Sequence, residues 1–191
     1  MPSTLSLKGF ANNGVLAGSI EGQKVFRELL QNTPAPTKPE VVFVDFSGVD
    51  VATTSFLRDG ILAYRNHVRS TQPLLYPVCA NLSSRVHEEL QSFLQERNDA
   101  LVACRLGEGG QVSDVELIGQ IDGKQGVALR GVLDLGESDA PGLRTHVAEE
   151  VAATAWNNRL VALVEKGILI EVSSGRNKRY RPVLEGLRYG T

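Results

Sequence analysis

The chain is poor in the residues that mark disulfide, metal or haem chemistry. It holds two cysteines, one methionine, one tryptophan and three histidines in 191 residues. Cys79 and Cys104 both sit in apolar strand-like runs, PLLYPVCA and ALVACRL. They read as buried thiols in a reducing compartment, so a cytoplasmic location is expected. No apolar run approaches the ~20 residues that span a bilayer, so no membrane association is expected. The opening MPSTLSLKGF lacks a basic region followed by an apolar stretch, which argues against a secretory signal. Catalytic signatures are missing as well. GEGG at 107–110 lacks the Lys and hydroxyl that a phosphate loop needs, and neither G-x-S-x-G nor C-x-x-C occurs. His67, His87 and His146 fall on three separate expected helices without metal-ligand spacing. The expectation is a protein that is not an enzyme and takes no cofactor and no metal. An active site assembled only in space is the competing class.

Ordinary globular material is present: 42% of residues are hydrophobic and 22% charged, enough apolar content for two modest cores. The net charge of −2 is unevenly spread. Residues 1–140 carry 12 Lys/Arg against 17 Asp/Glu, whereas residues 141–191 carry 8 against 5. A locally basic segment attracts phosphates even in an acidic chain.

Read along the chain, residues 4–20 suggest one or two short strands broken at Asn12, Asn13 and Gly14. EGQKVFRELLQN (21–32) has helical spacing, and the prolines of TPAPTKP (33–39) demand a loop. VVFVDF (41–46) is a continuous apolar run, the mark of a strand buried on both faces of a parallel or mixed sheet. In residues 54–70, Leu57, Ile61, Tyr64 and Val68 share one helical stripe. Strand PLLYPVCA, helix 82–98 and strand ALVACRL follow. Alternating strands and helices predict an α/β unit over residues 1–106 with a mixed sheet. GEGGQVSD opens a linker or connecting strand at 107–120, and a second, α+β unit occupies 121–191. There, helices with breaks at Gly136 and near Pro141 precede ILIEVS and RYRPVL, two strands around the turn SGRNK.

Three helices followed by a hairpin is the order of a winged helix-turn-helix. Trp156, Leu160, Leu163 and Val164 make one core face of the third helix, which Thr154 can cap and Gly167 ends. The other face offers Thr154, Asn158 and Val161, flanked by Asn157 and Arg159, a helix start that is polar and uncharged or basic, suited to entering a groove. Arg176, Lys178 and Arg179 cluster at the hairpin, where cations suit phosphate contact. The stretch TAWNNRLVALVEKGILIEVSSGRNKRYRPV resembles the recognition helix and wing of bacterial winged-helix transcription regulators. The resemblance implies double-stranded DNA as partner, with Thr154, Asn157, Asn158, Arg159, Arg176, Lys178 and Arg179 as contacts. Winged helices that dock protein instead are the alternative.

VVFVDFSGVDVATTSFL (41–57) resembles the strand-to-helix segment of STAS domains, with Asp45, Ser47 and Val49 matching D-x-S-x-V. The T-x-S-F form of Thr53 to Phe56 is similar to the divergent STAS-like group, and the resemblance spans roughly residues 14–106. It implies a signal- or partner-binding domain of the anti-sigma-factor-antagonist type. The partner would then be a protein such as an ATPase-type kinase, with a homodimer as a further expectation. Thr54 and Ser55 stand where that family's phosphorylated hydroxyl falls, but Thr53 replaces the usual preceding Asp and Phe56 the usual small residue. Two readings of Thr54 and Ser55 follow: a helix cap, or a phosphorylation switch facing the positive end of the helix dipole.

Overall fold

The computed structural model describes residues 3–147, 149, 151–174 and 177–190. Its centre is a five-stranded sheet in the order β1-β3-β5-β6-β7. β1 (Ser3–Ser6), β3 (Glu40–Asp45), β5 (Leu75–Ala80) and β6 (Ala100–Leu106) are parallel, and β7 (Val112–Gly119) closes the edge antiparallel to β6. The chain is therefore α/β with a mixed sheet. A second small pair, β2 (Val15–Leu16) with β4 (Val51–Ala52), lies beside it.

The alternation of side chains across each strand sends neighbouring residues into two different cores. Val42, Val44, Cys79, Leu101, Ala103 and Ile118 face one core. Phe43, Val78, Ala80, Val102, Cys104 and Val115 face the other. This is why the strand sequences read as unbroken apolar runs. The first core is covered by α1 (Ser19–Gln31), by a composite helix over 54–71 and by α4 (Ser84–Gln95). The composite helix joins α2 (Thr54–Phe56), a π-helical stretch Leu57–Leu62 and α3 (Ala63–Thr71). The expected stripe holds: Leu57, Ile61, Tyr64 and Val68 are all buried.

The second core is covered from the far end of the sequence. α5 (Gly123–Leu135), α6 (Ala140–Val147), α7 (Ala153–Glu165), β8 (Leu169–Ser174) and β9 (Asn177–Pro182) follow in that order. Leu129, Val132, Leu143, Trp156, Leu160, Leu163 and Ile170 join the sheet residues in one continuous cluster. Pro141 lies in the first turn of α6 rather than interrupting a helix; the break falls at Gly136–Asp139.

Residues 107–111 form the tight turn of the β6–β7 hairpin, and 112–119 are a full strand of the main sheet. Residues 112–119 are thus continuous with the main sheet through their pairing to β6. The passage to α5 is Gln120–Asp122, where Ile121 is buried and Asp122 caps α5 by accepting from Lys124 N (2.8 Å) and Gln125 N (2.9 Å). Near the C-terminus the chain returns to the sheet edge: Leu117 N donates to Arg188 O (3.2 Å) and Arg188 N to Val115 O (3.0 Å). Among the described residues, no helix is long and apolar enough to cross a membrane.

Candidate functional site

The C-terminal unit presents α7 beside a hairpin. β8 and β9 pair antiparallel, and Ser138 between α5 and α6 adds a one-residue third strand. Its N donates to Tyr180 O (3.0 Å) and its O accepts from Tyr180 N (2.7 Å). α7 is amphipathic as expected. Trp156, Leu160 and Leu163 are fully buried, while Thr154, Asn157 and Asn158 are exposed on the first turns. The helix ends as Gly167 requires. Gly167, at φ 79°, donates to Val164 O, and Ile168 N donates to Leu163 O, both at 2.9 Å. Thr154 is not the cap: Ala152 holds that position, without a side-chain hydrogen bond.

Arg159 requires a correction. It is buried, stacks 4.5 Å from the Trp156 ring and makes a two-pronged bond to Glu149 (2.7 and 3.0 Å). It fastens the chain before α7 to α7 itself and does not lie on the exposed face of α7. The Glu149 hydrogen bond raises the Arg159 pKa, and the same bond lowers that of Glu149. Helical spacing put Arg159 on a flank; the aromatic face of Trp156 and the carboxylate ten residues earlier drew it inward.

Arg176 lies outside the described residues. Lys178 and Arg179 are both exposed, at 57% and 53%, yet neither stands alone. Lys178 pairs with Glu171 (3.0 Å), which raises its pKa, and Arg179 Nε pairs with Glu137 (2.8 Å). The first partner lies across the hairpin, on the strand paired with β9. The second arrives from the α5–α6 turn because Ser138 bridges to Tyr180. Asn157 is tied down too, its Oδ1 accepting from the Tyr180 hydroxyl (3.2 Å).

A second candidate surface lies at the start of helix 54–71. The cap is Thr53, which neither reading of Thr54 and Ser55 anticipated. Thr53 Oγ1 accepts from Phe56 N (3.4 Å) and from Gly18 N (3.1 Å), so it also fixes the start of α1. Thr54 is exposed and donates to the Glu89 carboxylate; Ser55 is half-buried, 3.2 Å from Thr53 Oγ1. These residues line an open cleft with Val51 and Arg58. Next to it, a bidentate bond from Arg58 and a second from Ser19 pull the Asp59 carboxyl down to about 2.

The D-x-S residues are structural. Asp45 Oδ1 accepts from Ser47 N (3.0 Å), Ser47 Oγ (2.8 Å) and Asn81 Nδ2 (2.8 Å). Asn81 Oδ1 in turn accepts from Leu106 N (3.0 Å), which ties the ends of β3, β5 and β6 together. The histidines stay apart: His67 meets the Phe26 ring edge-on, His87 pairs with Glu116 and His146 with Asp134. Among the described residues, no group of three or more His, Cys, Asp or Glu is placed to hold a metal ion. Both thiols are free and buried on opposite faces of the sheet, and burial raises Cys79 to about 12 and Cys104 to about 11.

No protein-family model matches the chain, and no curated protein is significantly similar to it.

Proposed function

We propose that this chain is a non-enzymatic cytoplasmic regulator in which a STAS-like sheet unit carries a winged-helix unit that contacts duplex DNA. The observation that carries the reading is the arrangement of α5, Ser138, α6, α7 and the β8–β9 hairpin, with the apolar face of α7 buried and Thr154, Asn157 and Asn158 outward. A helix with a polar, uncharged start beside a hairpin suits the major groove and its flanking phosphates. Lys178 and Arg179 are the phosphate ligands in this reading. Their exposed ion pairs are weak restraints that a phosphate displaces. Arg159 has no part in it. Thr54 and Ser55 are the candidate modification site on the sheet unit.

A second reading, in which the winged helix docks protein, is favoured by one observation: Lys178 and Arg179 already have carboxylate partners. Fluorescence anisotropy on a pool of genomic duplexes at two salt concentrations separates the two. The DNA reading expects affinity that falls with salt. Replacing Lys178 and Arg179 by Ala should then lower the slope of log K against log salt by about two, roughly one per lost phosphate contact. Absence of duplex affinity at low salt would sink the DNA reading and leave protein docking in its place.

A further inference from the structure

Helix 54–71 runs without a break from the exposed Thr54 to Thr71, roughly 25 Å at the usual rise per residue. It is braced along α1, where a Cβ on Gly22 would stand 3.0 Å from Phe56 O and one on Gly60 3.2 Å from Gly22 O. Its two ends meet different parts of the molecule. Thr54, at the start, donates to Glu89 of α4. Near the other end, two arginines reach out of the sheet unit altogether.

Arg65, 3% exposed, donates from Nη1 to Lys166 O (3.3 Å) and pairs through Nη2 with Asp99. Arg69 donates from Nη2 to Val164 O (3.0 Å) and from Nη1 to Pro73 O (2.8 Å) and Leu75 O (2.6 Å). Its guanidinium lies 4.0 Å from the centre of the Tyr76 ring. Lys166 Nζ completes the group on Asp99 Oδ1 (2.7 Å). The last turn of α7 is thus held by side chains 95 and 101 positions earlier in the chain. Cations belong at a helix C-terminus, where carbonyls are left without intrahelical donors. An arginine fork adds direction to that attraction. Such a buried group gains little over an apolar replacement of the same shape, because desolvation offsets the attraction, but losing one partner is costly. Arg65 Nε and Arg69 Nε even lack partners among the described residues. Its effect is on geometry: it sets where α7 sits relative to helix 54–71.

We propose that Arg65 and Arg69 are positioning residues that couple the exposed start of helix 54–71 to α7, so that a displacement at Thr54 is felt in the last turn of α7. The consequence for duplex affinity rests on the DNA reading above; the coupling itself does not.

Hydrogen exchange on the full chain tests it, following amides 166–168 with the strands β3 and β5 as internal reference. Arg69→Met keeps an apolar stem on Tyr76 and removes the bonds to the carbonyls. It should raise exchange at 166–168 by about tenfold while β3 and β5 stay protected. Thr54→Glu sets a second carboxylate beside Glu89 and should also raise exchange at 166–168. On the Arg69→Met background, where only Arg65 still reaches α7, that second effect should be clearly smaller, the non-additivity expected of coupled sites. Exchange at 166–168 that is unchanged in Arg69→Met, or that rises equally in every strand, would overturn the proposal. So would a Thr54→Glu effect that is absent, or that is the same in both backgrounds. If Arg69→Met does not fold, Arg69→Lys keeps the charge without the fork and must shift the same amides in the same direction. Duplex affinity measured alongside decides the DNA reading independently: a wild type without affinity removes that reading, while the exchange data still decide the coupling.

Discussion

The two faces of the central sheet are covered in different ways. The first face is closed by α1, helix 54–71 and α4, each lying in the connection between two successive strands of the main sheet. The second face is closed by residues 121 onward, which follow all five strands in sequence. One cover is built by local βα connections; the other requires a separate helical unit to find the sheet. A strand such as β3 exposes an apolar side chain on each face, so both covers are needed for the sheet to exist in water.

The strongest challenge to this comparison is to remove one cover. Residues 1–120 alone would expose Phe43, Tyr76, Val78 and Val102, which are all buried in the full chain. We expect this fragment to aggregate or bind a hydrophobic dye, and the full chain to unfold in one transition. A monomeric 1–120 fragment with a cooperative melt would mean that the second cover is optional.

A smaller effect is expected where the two units meet. Burial pushes the Asp99 carboxyl up, but the charge of Arg65 and the bond from Lys166 outweigh it, and the net shift is down. A carboxyl whose folded pKa is depressed contributes stability that is complete above its unfolded value. That contribution fades as pH falls through the folded value, so it is lost below about pH 4. Asp99→Asn should therefore lower the melting temperature at neutral pH and flatten its fall in acid. Parallel curves for the two proteins from pH 7 to pH 3 would show that the ion group does not contribute.

The smallest effect sharpens the local side of the comparison. Thr53→Ala removes the cap shared by α2 and the start of α1 and should cost about 1 kcal/mol. Thr54→Ala, at an exposed position, should stay within about 0.5 kcal/mol. Denaturant titration of both variants checks the order, and the reverse order would return the cap to Thr54.

Much of the first cover was legible in the sequence. The stripe of Leu57, Ile61, Tyr64 and Val68 follows from helical spacing, and the double burial of β3 follows from VVFVDF. The core face of α7 and its glycine end were legible for the same reason. What lay hidden was any property that depends on a distant partner. Arg159 reads as a surface cation until Glu149 and Trp156 enclose it. Arg179 reads as free until the Ser138 bridge brings Glu137 beside it. The cap at Thr53 was missed because three consecutive hydroxyls offer the same chemistry, and only the backbone turn selects among them.

Periodicity is a local property, so the sequence by itself determined which segments are helices and strands and which of their faces are apolar. It also determined that the strands need two covers. Which cover meets which face, and which cations find a carboxylate within the chain, was decided only by the tertiary structure. Charge pairing acts through space at a few ångströms, and the chain separations it bridges here, 95 and 101 positions for the bonds to α7, leave no trace in any local pattern.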